Sequence, residues 1–260
     1  MKQFLKAYWQ TLLFFAIVGL IGGFFTGLYV LDSYPADLRQ QLVDELNTSG
    51  LGNFPIGIVM GLIGSLQGAG YGLLLGAAGI WLGKKTGLWK DETVIEHKPL
   101  TVTVIVSVIG GLALILPDLL FFGPQIPAVM DFYASKPTVA YMLAAMLYGG
   151  VIEEVMLRLF WMSLMVFLLH QLFGKKGELP STGILIAANI VAALLFAAGH
   201  LPGTFQLLGN SPLIIFRCFL LNGIFGLAFG WLYRNYGLRY AMLAHGGCHV
   251  VSKLIWILFL

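Results

Sequence analysis

The sequence predicts an all-α membrane protein, a polytopic bundle of about seven transmembrane helices that forms one membrane domain over residues 1–260. Hydrophobic residues make up 58% of the 260 positions and charged residues only 10%, whereas soluble domains carry about 25% charged residues. The mean hydropathy of +0.87 agrees with this class. A chain of this length provides about six to eight apolar segments of about 20 residues, with little left for a domain outside the membrane.

Seven apolar segments follow one another along the chain. The first, from Tyr8 to Leu31, is too long for the core of a signal peptide, so we expect it to be retained as a span. An eighth helix would require one of the long segments to be divided. The predicted spans are residues 8–31, 55–82, 100–122, 138–169, 183–207, 212–233 and 239–259.

Three segments have features that shape their helices. Residues 32–55 combine charged side chains with leucine and valine at helical spacing, which predicts a short amphipathic helix at the membrane surface. The second span has glycines at spacings of three or four, which let membrane helices approach closely. The fourth segment would be roughly 48 Å long as a straight helix, longer than a hydrocarbon core of about 30 Å. We therefore expect it to tilt, to kink near Gly149-Gly150 or to project from the membrane.

Basic residues are concentrated in alternate loops and predict the orientation. The other loops hold only Arg39 and Lys136. By the positive-inside tendency the N-terminus is cytoplasmic and the C-terminus lies on the far side. The net charge of +3 and the absence of a long basic run exclude nucleic acid as a partner. The basic residues of the cytoplasmic side are Lys2, Lys6, Lys84, Lys85, Lys90, Lys98, Lys175, Lys176, Arg234 and Arg239.

An acidic pair lies in the fourth span. Glu153 and Glu154 are adjacent, and Arg158 follows one helical turn later. A charged side chain at the centre of a bilayer costs at least about 2.5 to 3.5 kcal/mol. A surface position is disfavoured because the nearest other charges in the sequence are Lys136 and Lys175. The three residues predict a functional site within the membrane, and a simple ion pair between Glu154 and Arg158, four positions apart, also fits the pattern.

Three histidines also lie in apolar spans. His200 is near the end of the fifth, and His245 and His249 share one helix face early in the seventh. Imidazole and carboxylate act as general bases and also bind zinc. Glu153 and the three histidines are therefore candidate ligands of zinc or another divalent metal. The alternatives are a histidine at a helix end for His200 and a polar packing pair for the other two. By counting along the spans, His200 lies towards the outer side and His245 towards the inner side, so a shared site needs tilted or broken helices.

These motifs resemble those of the CAAX prenyl protease and bacteriocin-processing family of intramembrane proteases. That family has Glu-Glu-x-x-x-Arg, Phe-x-x-x-His and His-x-x-x-Asn in this order on successive membrane helices. The resemblance covers residues 138–255, the four core helices of the family. The corresponding motifs of this chain are Glu153-Glu154-Val-Met-Leu-Arg158, Phe196-Ala-Ala-Gly-His200 and His245-Gly-Gly-Cys-His249.

The resemblance implies hydrolysis of a peptide bond in a membrane-associated protein or peptide, lipidated or not, within a bacterial cell membrane. In the family scheme Glu153 activates a water molecule with help from His200. The second glutamate and the arginine of the first motif orient this base, and His245 and the residue at 249 polarise the scissile carbonyl. The family has Asn or Asp where this chain has His249. A histidine there either donates a hydrogen bond, as Asn does, or becomes a further metal ligand.

Two other functions also fit the sequence. Buried charged residues are typical of proton-coupled transporters, but such carriers often consist of two similar halves, and no internal symmetry is evident in this sequence. A non-catalytic adaptor of the same fold is supported only by His249. Lys253 is expected to pair or to line a cavity, and no role is assigned to it. The two cysteines, Cys218 and Cys248, lie in apolar segments and are expected to pack rather than to form a disulfide.

Overall fold

The computed structural model describes residues 2–91 and 96–260, and within these ranges every regular element is a helix. The described helices are α1 (Lys2–Ser33), α2 (Ala36–Thr48), α3 (Ile56–Thr86), α4 (His97–Phe122), α5 (Pro127–Tyr133), α6 (139–173), α7 (Thr182–Leu208), α8 (Pro212–Tyr236) and α9 (Leu238–Phe259). The predicted all-α class is confirmed.

Six of the described helices, namely α1, α3, α4, α7, α8 and α9, are long and apolar enough to cross a membrane. The chain is therefore an integral, multi-pass membrane protein. The fourth predicted span, residues 138–169, is helical as α6 but is not among these six, and it contains the acidic pair and Arg158. Six of the seven predicted spans are thus confirmed as helices long and apolar enough to cross a membrane, and the span of α6 stays a prediction. The orientation read from the basic loops stays a prediction.

Helices α1 and α3 pack backbone against backbone. A Cβ atom on Gly23 would overlap the carbonyl oxygen of Gly64, and one on Gly64 would overlap the carbonyl oxygen of Gly23. Gly19 and Gly68 are related in the same way one turn further along. The predicted use of glycine for close helix packing is confirmed. Both cysteines are buried and free, also as predicted, and α2 is the short helix expected after the first span.

Helix α6 combines ordinary α-helical ends with π-helical turns over Ala144–Glu153 and Val155–Met162. A π turn closes its hydrogen bond over five residues instead of four. Such turns are rare in proteins overall, and those that occur are often located at functional sites. Two close contacts hold this part of α6 in place. A Cβ on Gly22 of α1 would lie 2.8 Å from the backbone nitrogen of Tyr148, and one on Gly150 would lie 3.0 Å from the Cα of Gly246 in α9.

An ion pair with a buried carboxylate ties α4, α5 and α8 together. Arg217 donates to Asp118 through Nε at 2.6 Å and through a second nitrogen of its guanidinium. The hydroxyl of Tyr133 donates to the same carboxylate at 3.1 Å. Asp118 is fully buried, and its charge is balanced by this two-point contact. Arg217 also borders the cavity described below, but its charge is already paired with Asp118.

Candidate active site

The two adjacent glutamates of α6 lie in different environments. The side chain of Glu153 is 22% exposed and lines a cavity of about 550 Å³. The side chain of Glu154 is 0% exposed. Successive residues of a helix point in directions roughly 100° apart, so one carboxylate faces the cavity while its neighbour faces the interior of the bundle. Glu153 is therefore the carboxylate that a substrate or a water molecule reaches.

Glu154 is the centre of a buried polar network. Its Oε1 lies 3.0 Å from a terminal nitrogen of Arg158, which confirms the ion pair predicted from their spacing. The other terminal nitrogen of Arg158 donates to the carbonyl of Gly226 at 3.2 Å. The guanidinium also lies over the rings of Phe196 and Phe229, with its carbon 4.6 and 5.5 Å from their centroids. These contacts join α6 to α7 and α8, and they compensate two charges that would be costly if unpaired.

The carboxylate of Glu154 also determines which ring nitrogen of His245 carries the proton. Nδ1 of this ring lies 2.9 Å from Oε1 of Glu154. Because an ionised carboxylate only accepts hydrogen bonds, Nδ1 carries the proton and Nε2 is left with its lone pair. Nε2 lies 4.0 Å from Oε2 of Glu153. The ring is stacked on Phe229, with centroids 4.6 Å apart and planes at 22°, so both its orientation and its tautomer are fixed.

His200 lies where α7 breaks. The first part of the helix is Thr182–Gly199 and the second is Leu201–Leu208, with Pro202, which lacks an N–H, at its start. Nδ1 of His200 donates to the carbonyl of Phe196 at 2.8 Å, so Nε2 again keeps the lone pair. The Phe196 ring contacts both His200 and His245, at centroid distances of 4.7 and 5.7 Å. The broken helix thus brings together two histidines that counting along the spans placed at different depths.

His249 completes the group of imidazoles on α9. Its ring centroid lies 5.0 Å from that of His245. Among the described residues its buried Nδ1 has no hydrogen-bond partner. Nε2 of His249 lies 3.3 Å, and Nε2 of His245 3.8 Å, from the point where a Cβ of Gly149 would be. The absence of a side chain at Gly149 therefore leaves room for both rings beside the acidic pair.

Glu153, His200 and His249 all line the same cavity, and His245 contacts two of these three residues. Three helices, α6, α7 and α9, therefore contribute one group of carboxylates and imidazoles. Such a group can accept a proton from water and hold or return it, because the unprotonated nitrogens and the exposed carboxylate are bases. The fully buried Glu154 and Arg158 can orient that group but cannot reach a substrate in the cavity.

The side chains, as placed, do not fit a zinc site. Over the described ranges, no group of three or more His, Cys, Asp or Glu side chains is arranged to hold a metal ion. A catalytic zinc ion needs about three protein ligands at about 2.0 to 2.2 Å from the metal. Glu153 and His245 are the pair with facing donors, and these are 4.0 Å apart. The metal prediction for Glu153, His200, His245 and His249 is tested by measurement below, and no chemical step is assigned to an ion.

The sequence does not predict what two residues of the cavity wall, Gly149 and Lys253, contribute to the site. Gly149 was noted only as a kink site, although the Gly-Gly pair directly before two glutamates could have suggested close approach of a neighbouring helix. Lys253, one turn after His249 on an apolar helix, is predicted to pair or to line a cavity, and the structure confirms that it lines this cavity, where it is 7% exposed. Its contribution to the site was not predicted. The sequence signal for such a contribution is that Lys253 follows the candidate site residue His249 by four positions and therefore lies on the same helix face.

Residues 135–251 match the family model described as type II CAAX prenyl endopeptidase, Rce1-like. No match was found among curated proteins or among solved structures. The matched segment contains all six candidate site residues, from Glu153 to His249, and agrees within a few residues with the start and end of the predicted core. Over this segment, which is a little under half of the chain, the protein is similar to the Rce1-like type II CAAX prenyl endopeptidases.

Proposed function

We propose that the protein is an intramembrane endopeptidase in which Glu153, assisted by His200, activates the water that attacks a peptide bond. The observation that carries this proposal is the difference between the two glutamates. Glu153 borders the cavity, whereas Glu154 is fully buried against Arg158 and His245. A general base must be reachable by its substrate and must be able to accept a proton, and of the pair only Glu153 meets both conditions.

The distance between Glu153 and His245 suits one shared water molecule. Two acceptors 4.0 Å apart can both receive hydrogen bonds of about 2.8 Å from the same water oxygen. During the attack the proton of this water passes to Glu153, while His245 accepts a hydrogen bond from the water. A proton taken up by His245 in another step would create an imidazolium, and the adjacent carboxylate of Glu154 stabilises that charge. The neutral ring cannot donate from Nε2, so His245 polarises a carbonyl only after it has been protonated. This refines the role that the family scheme gives to His245.

The other two histidines have complementary roles in this scheme. His200, with its lone pair on Nε2, receives from Glu153 the single proton removed from the water and passes it to the leaving amine. The buried Nδ1 of His249 has no partner among the described residues, and an unpaired acceptor is less rare than an unpaired N–H. The tautomer with the proton on Nε2 therefore suits His249, and this N–H donates to the oxyanion that forms on the scissile carbonyl.

The substrate is a protein or peptide that reaches the cavity from the membrane. Besides the polar group, aromatic and aliphatic side chains such as Phe132, Leu157 and Trp256 line the cavity. We propose that this apolar wall holds a lipid chain on the substrate, such as the prenyl group named in the family description, and that the enzyme works in a bacterial cell membrane. In proteoliposomes the purified protein should cut a farnesylated cysteine peptide at one bond, identified by mass spectrometry. If neither the farnesylated nor the unmodified peptide were cut, the proposal would be wrong.

Substitution of His249 tests its role as the oxyanion donor. His249→Asn keeps a donor and should retain most of the activity, whereas His249→Ala should lose about a hundredfold or more in kcat with KM little changed. Both variants are compared with the wild-type protein on the same peptide. Equal activity of all three proteins would reduce His249 to a packing residue. Loss of activity in His249→Asn together with a loss of bound metal would indicate a ligand instead.

Metal content is a separate measurement. Elemental analysis of the purified, active protein after removal of loosely bound ions should show no stoichiometric metal if water is activated by the side chains alone. About one equivalent of zinc, reduced in His245→Ala and in His200→Ala, would support a joint metal site and contradict this scheme. Activity that survives treatment with a chelator agrees with the scheme. The matched control is the metal content of Glu154→Gln, because this substitution changes no donor atom that lines the cavity.

A further inference from the structure

Lys253 lies on the same face of α9 as His249, one turn further along. Its side chain is 7% exposed and borders the cavity that contains Glu153. Nζ donates to the hydroxyl of Tyr141 at 3.0 Å. It also lies 4.1 Å from the centroid of the Tyr141 ring and 5.9 Å from that of Trp256. The lysine is thus held at a defined position in the wall of the cavity.

This cation differs from the two arginines of α6 and α8 that take part in ion pairs. Arg158 is paired with Glu154, and Arg217 is paired with Asp118. Over the described ranges no carboxylate lies within ion-pairing distance of Lys253. An ammonium group in an apolar bundle is costly without a negative partner. An anionic group of a bound molecule would supply that partner.

The surroundings of Lys253 suit a carboxylate. The hydroxyl oxygen of Tyr141 accepts the hydrogen bond from Nζ of Lys253, so the hydroxyl proton remains free to donate. Nζ can therefore bind one oxygen of a carboxylate while the tyrosine hydroxyl donates to the other. His245 and Lys253 are eight residues apart on α9, which is about 12 Å along a helix. An extended peptide covers about 3.3 to 3.6 Å per residue. A carboxylate on Lys253 would therefore lie about three residues from a carbonyl that is attacked by the water between Glu153 and His245.

We propose that Lys253, together with Tyr141, binds the C-terminal carboxylate of the substrate and thereby sets the position of the cut relative to a free C-terminus. The inference rests on the proposed protease function, because it places the scissile bond and the C-terminal carboxylate of one substrate in the same cavity. Lys253 is then a residue that determines specificity, whereas Glu153 and the histidines perform the reaction.

Two peptides and three proteins test this site by hydrolysis. The peptides are a farnesylated cysteine followed by three aliphatic residues, with either a free C-terminal carboxylate or a C-terminal amide. The wild-type protein should lose about 10- to 100-fold in kcat/KM on the amide. Lys253→Met should cut both peptides at the same low rate, and Lys253→Arg should restore the preference. The matched control is Lys136→Met, an exposed lysine outside the cavity, which should keep the wild-type preference.

Binding of the same peptides to Glu153→Gln separates this inference from the protease proposal. The acid form should bind about 10- to 100-fold more tightly than the amide, and the added substitution Lys253→Met should remove that difference. Equal affinities for the two peptides would overturn the carboxylate site, whatever hydrolysis shows. Tighter binding of the acid form to a protein that never cleaves it would support the carboxylate site and contradict the protease proposal alone.

Discussion

Replacing Glu153 by glutamine is expected to abolish peptide-bond hydrolysis while the protein remains inserted and folded. The amide has the shape of the carboxylate but cannot accept a proton, and loss of a general base typically costs about 10²- to 10⁴-fold in rate. The side chain faces the cavity and has no partner as close as those of Glu154, so the substitution breaks no buried ion pair. The rate is measured by mass spectrometry on the farnesylated peptide, and the fold by thermal unfolding in detergent.

A matched control for this substitution is Glu178→Gln. Glu178 is an exposed loop residue whose side chain is 64% accessible and faces Lys175, so the same chemical change there should leave the rate unchanged. If Glu153→Gln cleaved the peptide at the wild-type rate, Glu153 would not be the base. The role of the exposed carboxylate would then have to be given to another group of the cavity.

Replacing Arg158 by methionine is expected to destabilise the protein by about 3 to 5 kcal/mol. The substitution removes the charge that faces Glu154 at 3.0 Å and leaves a carboxylate with 0% exposure without its cation, and breaking a buried pair on one side has a cost of this size. The stacking on Phe196 and Phe229 is lost as well. The free energy of unfolding in a mild detergent, measured by denaturant titration, tests this value.

The double substitution Glu154→Gln with Arg158→Met separates charge from packing. It removes both charges together, so its loss of stability should be smaller than that of Arg158→Met alone. It should still be poorly active, because a neutral amide no longer stabilises an imidazolium at His245. If Arg158→Met were as stable as the wild type, the buried network would not hold α6, α7 and α8 together as described.

The sequence was sufficient for the helical bundle and for the pairing that follows from local spacing. The fifth predicted span, 183–207, differs by one residue at each end from Thr182–Leu208, because hydropathy alone determines where an apolar helix can lie. The ion pair of Glu154 and Arg158 followed from their separation of four residues. The family motifs supplied the order of the chemical groups, and residues 135–251 match the corresponding family model.

Contacts between distant segments could not be predicted in the same way. Hydropathy gives both glutamates the same value, and only the packing of α6 against its neighbours places Glu153 at the cavity and Glu154 in the interior. Lys253 and Tyr141 are 112 positions apart in the sequence, and only the tertiary structure brings them into contact. The π-helical turns of α6 also depend on that packing, since helix propensity favours ordinary α-helical turns.

The contact between Gly22 and the backbone of Tyr148 has a consequence for engineering. Gly22 lies outside the segment that matches the family, yet a Cβ there would come within 2.8 Å of the residue directly before Gly149. A graft that transferred only residues 135–251 onto the N-terminal helices of another protein would place an arbitrary side chain against this backbone. The smallest transplantable unit therefore includes the matching face of α1, and the junction of such a chimera belongs ahead of that helix rather than at residue 135.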